Sequence, residues 1–150
     1  METQSKYLVW FIFGAALRLS PALNPIHEAM HIFLVEFFGG QVVDLEWSRV
    51  FWINVPKNFT PIVIGGAYWL ELFVYFGIIM LRQGNSPAFA GILLLVYVSG
   101  LISEDFTRVS DANLALYGII GLVVLIKGIY TACEQTPEPN AVKTQSSLVH

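Results

Sequence analysis

The 150-residue sequence predicts an all-α integral membrane domain of four to five transmembrane helices, with a short extended or β-hairpin insert and a disordered C-terminal tail. Two observations predict it. The chain is 55% hydrophobic and 14% aromatic but only 13% charged, with a mean hydropathy of +0.63, well outside the soluble range. Its apolar residues are also gathered into runs, and at about 20 residues per crossing there is room for about four spans with short connections. The formal net charge of -3 and the scattered Lys and Arg residues provide no basic surface. Nucleic acid is therefore not an expected partner, whereas the lipid bilayer is. The single cysteine, Cys133, excludes an internal disulfide and a cysteine-based metal cage.

The first apolar run, residues 7–19, follows Lys6 and contains Gly14-Ala15-Ala16, features shared with signal peptides. The simpler reading is an uncleaved helix that packs beside the segment after it. Pro21 and Pro25 bracket a break, and Asn24 sits where a cap residue starts a helix with Pro at its first position. That helix covers 25–38 and stops at Gly39-Gly40. Residues 41–55 then set β-branched and aromatic residues at near-alternating spacing with polar ones, the pattern of a hairpin or extended insert.

Pro61 opens the clearest span, 61–81, and a turn follows at 82–85. Two more apolar runs, 88–102 and 114–130, flank the polar patch at 103–113. The Pro-, Thr-, Gln- and Ser-rich end of the chain reads as disordered, which divides it into a membrane-embedded domain, 1–132, and a polar tail, 133–150. Cations near almost every helix end leave the orientation of this multi-pass chain open.

Only three histidines occur, and two of them share the stretch NPIHEAMHIF with a glutamate. Burying such groups without partners costs several kcal/mol, roughly, so the cluster is either satisfied or used for chemistry. On a helix, His27 and His31 lie four apart on one face, so both imidazoles can converge on one metal ion. Glu28 lies about 100° away around the helix, near enough to reach a water on that metal. Imidazole suits zinc, and zinc lowers the pKa of bound water, so Glu28 could take its proton and pass it to a leaving amine. In the bland alternative the histidines bond between helices and Glu28 caps a helix start.

The run HEAMHIFLVEFFGGQVV, residues 27–43, resembles the start of the site-two-protease type of intramembrane zinc metallopeptidase, the M50 family, and particularly its M50B-like members. In that family HExxH lies in a membrane helix, and a Gly-Gly or similar turn follows into an extended segment. The stretch GGAYWLE at 65–71 is similar to the family's small-residue start of the next helix, where small residues let backbones approach closely. Family members supply a third zinc ligand as an aspartate near the start of a late helix, and SDANLAL at 110–116 resembles that element.

The resemblance therefore implies a zinc-dependent intramembrane endopeptidase that acts on a transmembrane protein or peptide. His27, His31 and Asp111 would hold Zn2+, and Glu28 would activate water. Ala112 stands where better-known members carry glycine, and Glu104, Asp105 and Asp44 remain rival third ligands.

Glu71, near the centre of the strongest span, is expected either to orient a histidine N–H or to bond, protonated, to a neighbouring helix. Asn24 is a further candidate for a supporting position, and Glu36 is expected at the interface. The aromatic residues at 10–11, 47, 51–52 and 68–69 read as interface anchors and packing. The insert at 41–55 is a candidate edge for pairing with a substrate strand.

Counting every apolar run as a full crossing puts the starts of the 25–38 and 114–130 helices on opposite sides of the bilayer. That count can fail because a helix over 25–38 spans only about 21 Å at about 1.5 Å per residue, or because the last helix begins nearer Glu104. The competing function is non-enzymatic: a catalytically inactive relative, or a small membrane scaffold that binds a partner helix. An iron oxygenase would want more histidines than His150, the only other one.

Overall fold

The computed structural model describes residues 2–81, 86–102 and 111–134, with side chains described from residue 4 and, in the last segment, from residue 114. The turn expected at 82–85, the rival ligands Glu104 and Asp105, and the tail from 135 onward lie outside the described residues.

Among the described residues the chain runs α1 (Glu2–Leu19), a 3-10 turn (Pro21–Leu23), α2 (Asn24–Phe37), β1 (Gln41–Glu46), β2 (Arg49–Ile53), α3 (Thr60–Leu81), α4 (Ser86–Ile102) and α5 (Asp111–Glu134). The domain is mostly helical. Two helices among the described residues are long and apolar enough to cross a membrane, Thr60–Leu81 and Leu114–Glu134 within α5. A third crossing is added if α1 and α2, which meet at a 69° bend, form one broken span. α1 and α5 turn large apolar side chains outward, among them Val9, Phe13, Ile119 and Val123, as helices facing lipid do.

The break between α1 and α2 has a local cause. Ser20 caps the 3-10 turn by accepting from the Ala22 N–H, while its hydroxyl donates to the Leu17 carbonyl at 2.6 Å. The turn runs directly into α2, and this corrects the expected role of Asn24. Its backbone is already helical, its N–H donates to the Pro21 carbonyl, and the cap position falls to Leu23 with no side-chain cap bond. The Ser20-capped turn has taken over the start of the helix, leaving Pro25 in the first turn of α2.

The other end of α2 closes as its sequence suggests. Gly39 adopts φ 76° and donates to the Glu36 carbonyl, and Gly40 donates to the Val35 carbonyl, the paired bonds of a Schellman ending. A side chain at Gly40 would overlap Val55, so this turn needs glycine for close approach as well as for backbone hand.

The insert is an antiparallel hairpin with Val42 opposite Trp52 and Leu45 opposite Val50, and its register shifts between Val42 and Asp44. Val43 is the extra residue of that bulge. The Trp47 indole ties the hairpin tip to the 3-10 turn ahead of α2 by donating to the Pro21 carbonyl at 2.8 Å. Leu34, Val35 and Val63 form a small core, closed over by Val42, Trp52 and Val55 from the hairpin and the segment after it.

The larger core lies between α3, α4 and α5, where Leu72, Ile79, Leu93, Val96 and Tyr117 are fully buried. α1 packs along α4 with unusually close backbones. A methyl group at Gly14 would overlap the Ala88 carbonyl oxygen, and one at Gly91 would overlap the Phe11 carbonyl oxygen. Where lipid surrounds the helices, small residues at such seams let packing and dispersion replace the missing hydrophobic drive.

Candidate metal centre

α2 places His27, Glu28 and His31 in its first two turns, and all three are buried. Helical spacing brings the two imidazoles together, with ring centroids 4.9 Å apart and planes at 90°. Each ring is held on two sides. His27 Nδ1 lies 2.9 Å from Glu71 Oε2 on α3, and its ring rests against Tyr68, one turn earlier on that helix, at a centroid distance of 4.4 Å. His31 Nδ1 lies 3.0 Å from the Val63 carbonyl oxygen, and its ring stacks on Trp52 of β2 at 6.0 Å.

These contacts fix the chemistry of the rings. A carbonyl oxygen only accepts, so His31 Nδ1 carries the hydrogen and donates. The same direction holds at His27, whose partner is a carboxylate with Arg18 beside it. Both histidines in their neutral form thus have Nε2 as the nitrogen with a lone pair, the form in which imidazole binds metal. With the other nitrogen already bonded to a carboxylate or backbone carbonyl, the pair has the donor chemistry and the outer support of a zinc site.

The glutamate is itself anchored. Glu71 is fully buried at the middle of α3, and Arg18, near the end of α1, reaches it with Nη2 3.2 Å from Oε2 and Nε 3.0 Å from Oε1. The first contact is a hydrogen bond, while the second is an ion pair too poorly aligned to count as one. Placing a charge on both helices at this depth is costly unless they meet, and here they do.

A polar cavity of about 460 Å³ opens beside these groups. It is lined by Arg18, Asn24, His27, Glu28, His31 and Tyr68 and, from the hairpin, by residues 48–52. Glu28 also borders a smaller, mainly apolar hollow of about 310 Å³ beneath Leu45 and Trp47. Glu28 therefore stands between a polar hollow and a mainly apolar one.

Other expected residues fall elsewhere. Asp44 is exposed, accepts from the Leu45 N–H at 2.8 Å, and is not among the residues lining the polar cavity. Glu36 is exposed near the end of α2. Asp111 begins α5, and its side chain lies outside the described residues. Among the described residues no three His, Cys, Asp or Glu side chains are grouped so as to hold a metal ion.

Four contributors were hidden in the sequence. Arg18 looked like one more helix-end cation, and only its need for a buried acid could have linked it to Glu71. Trp52 and Tyr68 read as aromatic anchors, although each packs on an imidazole. The Val63 carbonyl has no side-chain signature at all.

The chain matches no family model, no curated protein and no solved structure.

Proposed function

We propose that this chain is a zinc-dependent intramembrane endopeptidase of the site-two-protease type. One observation carries the reading: two buried histidines, four apart on α2, each have Nδ1 bonded to an acceptor from α3, beside a buried glutamate in a polar cavity. His27 and His31 would hold the metal through Nε2, with Asp111 proposed as the third ligand. Bound zinc would supply a Lewis acid and bring water's pKa towards neutrality.

The remaining work falls to the chain's own residues. Glu28 takes a proton from water and delivers it to the departing amine, so the same carboxylate serves as base and then as acid. Glu71 and the Val63 carbonyl hold the rings in orientation, and Tyr68 and Trp52 limit their rotation. β2 pairs with β1 on one edge only, and its residues line the cavity, so its other edge is suited to receive an extended substrate segment. An extended segment is what a protease needs from a transmembrane helix that it must unwind before cutting.

In this reading α1 and α2 make one broken crossing, and α3, α4 and α5 complete a multi-pass domain. The bend then sets His27 near mid-membrane instead of at one surface, which removes half the separation from the start of α5 that full crossings would impose. The bilayer is both solvent and source of substrate.

The test is cleavage of a transmembrane reporter peptide by the full chain in liposomes. Glu28→Gln is expected to lower cleavage by about 10²–10⁴-fold and keep zinc; cleavage at the wild-type rate would overturn the reading of Glu28 as the base of a metallopeptidase. A second reading, a non-enzymatic scaffold whose histidines only pack, is favoured by the tilted contact of His27 with Tyr68 and the stacking of His31 on Trp52. Purified wild-type chain without stoichiometric zinc would favour that scaffold.

A further inference from the structure

We infer that Arg18 is a positioning residue for the metal centre: it fixes Glu71, and Glu71 in turn holds His27 in the orientation and tautomer that present Nε2 to a metal. This rests on the reading of His27 as a ligand.

The three groups come from three helices and form one chain of contacts. Arg18 of α1 meets both Glu71 oxygens at 3.2 and 3.0 Å, and Glu71 Oε2 meets His27 Nδ1 at 2.9 Å. Burial makes this chain obligatory. Glu71 is 0% exposed, so its carboxylate needs a partner inside the protein, and the Arg18 side chain, 10% exposed, supplies it. The guanidinium donates a hydrogen bond to Oε2 and makes an ion pair with Oε1. It thereby restricts rotation of the carboxylate and keeps Oε2 turned towards the imidazole.

The two histidines contain their own control. His31 takes its orientation from a backbone carbonyl that no side-chain change removes, whereas His27 depends on a side chain that itself depends on Arg18. Loss of Arg18 should therefore disturb one ring and spare the other. A merely structural arginine would disturb both or neither.

The experiment uses the full chain in detergent, with zinc affinity measured by competition against a chromogenic chelator and histidine tautomers read by 15N spectra of the metal-free protein. Arg18→Gln is expected to weaken zinc binding about tenfold, within the range seen when an outer partner of a metal ligand is lost. It should also move His27 towards a mixture of tautomers while His31 keeps its signature. Arg18→Lys should recover part of the affinity, since it restores charge but not the two-oxygen grip.

If Arg18→Gln does not fold because Glu71 is left unpaired, the double variant Arg18→Gln/Glu71→Gln carries the test. It should bind zinc as weakly as Glu71→Gln alone, because Arg18 acts only through that carboxylate. Wild-type affinity with an unshifted His27 in Arg18→Gln, or a double variant weakened by the product of the two single effects, overturns the proposal. A wild-type chain that takes no zinc overturns the metal reading and this proposal with it. Zinc bound equally by wild type and Arg18→Gln overturns the role of Arg18 alone.

Discussion

Two hollows of nearly equal size flank the α2–α3 pair, and they are built from opposite materials. One, of about 460 Å³, is lined by the histidines, Glu28, Arg18 and the hairpin. The other, of about 440 Å³, is lined by Leu34, Pro61, Gly65, Trp69, Phe73 and Ile120, among other residues, with no charged group. The same two helices supply both. α3 puts Tyr68 into the lining of the polar hollow, with Glu71 buried behind it, and Trp69 and Phe73 into the lining of the apolar one, so one helix carries a polar side and an apolar side. The difference teaches that hydropathy averaged along a helix hides the feature that matters. A span can be among the most apolar segments of a chain and still hold a fully buried carboxylate, provided that another helix brings the cation.

The largest effect is expected at the two histidines proposed as ligands. Replacing His27 or His31 with Ala should eliminate stoichiometric zinc, read by plasma emission on purified protein, while the apolar hollow and the α3–α5 core stay intact. Next in size is Glu28→Gln, expected to lower cleavage by about 10²–10⁴-fold with zinc retained, since that is what a positioned proton carrier contributes. Glu71→Gln should follow, weakening zinc by about 10–100-fold in a chelator competition. The smallest effect sharpens the other side of the comparison. Tyr117, which packs edge-on against Trp69 and donates to the Val96 carbonyl at 3.1 Å, lies behind the apolar hollow. Tyr117→Phe should cost about 0.6–1 kcal/mol of unfolding free energy in detergent and leave zinc affinity unchanged. A change in affinity there would mean that the two sides of α3 are not independent.

Much of the fold was legible because its signals are local. The apolar run after Pro61, the Gly39-Gly40 ending and the alternating insert each declare themselves within a few residues. The HExxH spacing likewise brings its own geometry, since residues four apart on a helix must share a face. What could not be read is what depends on partners far along the chain. Asn24 looked like a cap because the Ser20-capped turn ahead of it cannot be distinguished from an ordinary loop by composition. Arg18 and Glu71 are 53 residues apart, and their meeting depends on how α1, α3 and α4 stack, not on either neighbourhood. The span count was ambiguous for a related reason: two short helices at a 69° bend have the composition of two crossings and the reach of one. Asp111 contributes a described backbone but no described side chain.

The glycine seam between α1 and α4 has a consequence for how damage to this protein would present itself. Phe11, Gly14 and Arg18 fall on one face of α1, so the depth at which Gly14 nests against Ala88 also sets how far Arg18 can reach towards Glu71. The seam works as a gauge block: it sets, by backbone contact alone, a distance that the site then uses. A bulkier residue at Gly91 would touch neither histidine and remove no bond from the cavity. Its trace would nonetheless be a loosened imidazole on a different helix, and a defect that looks chemical would have a purely mechanical origin.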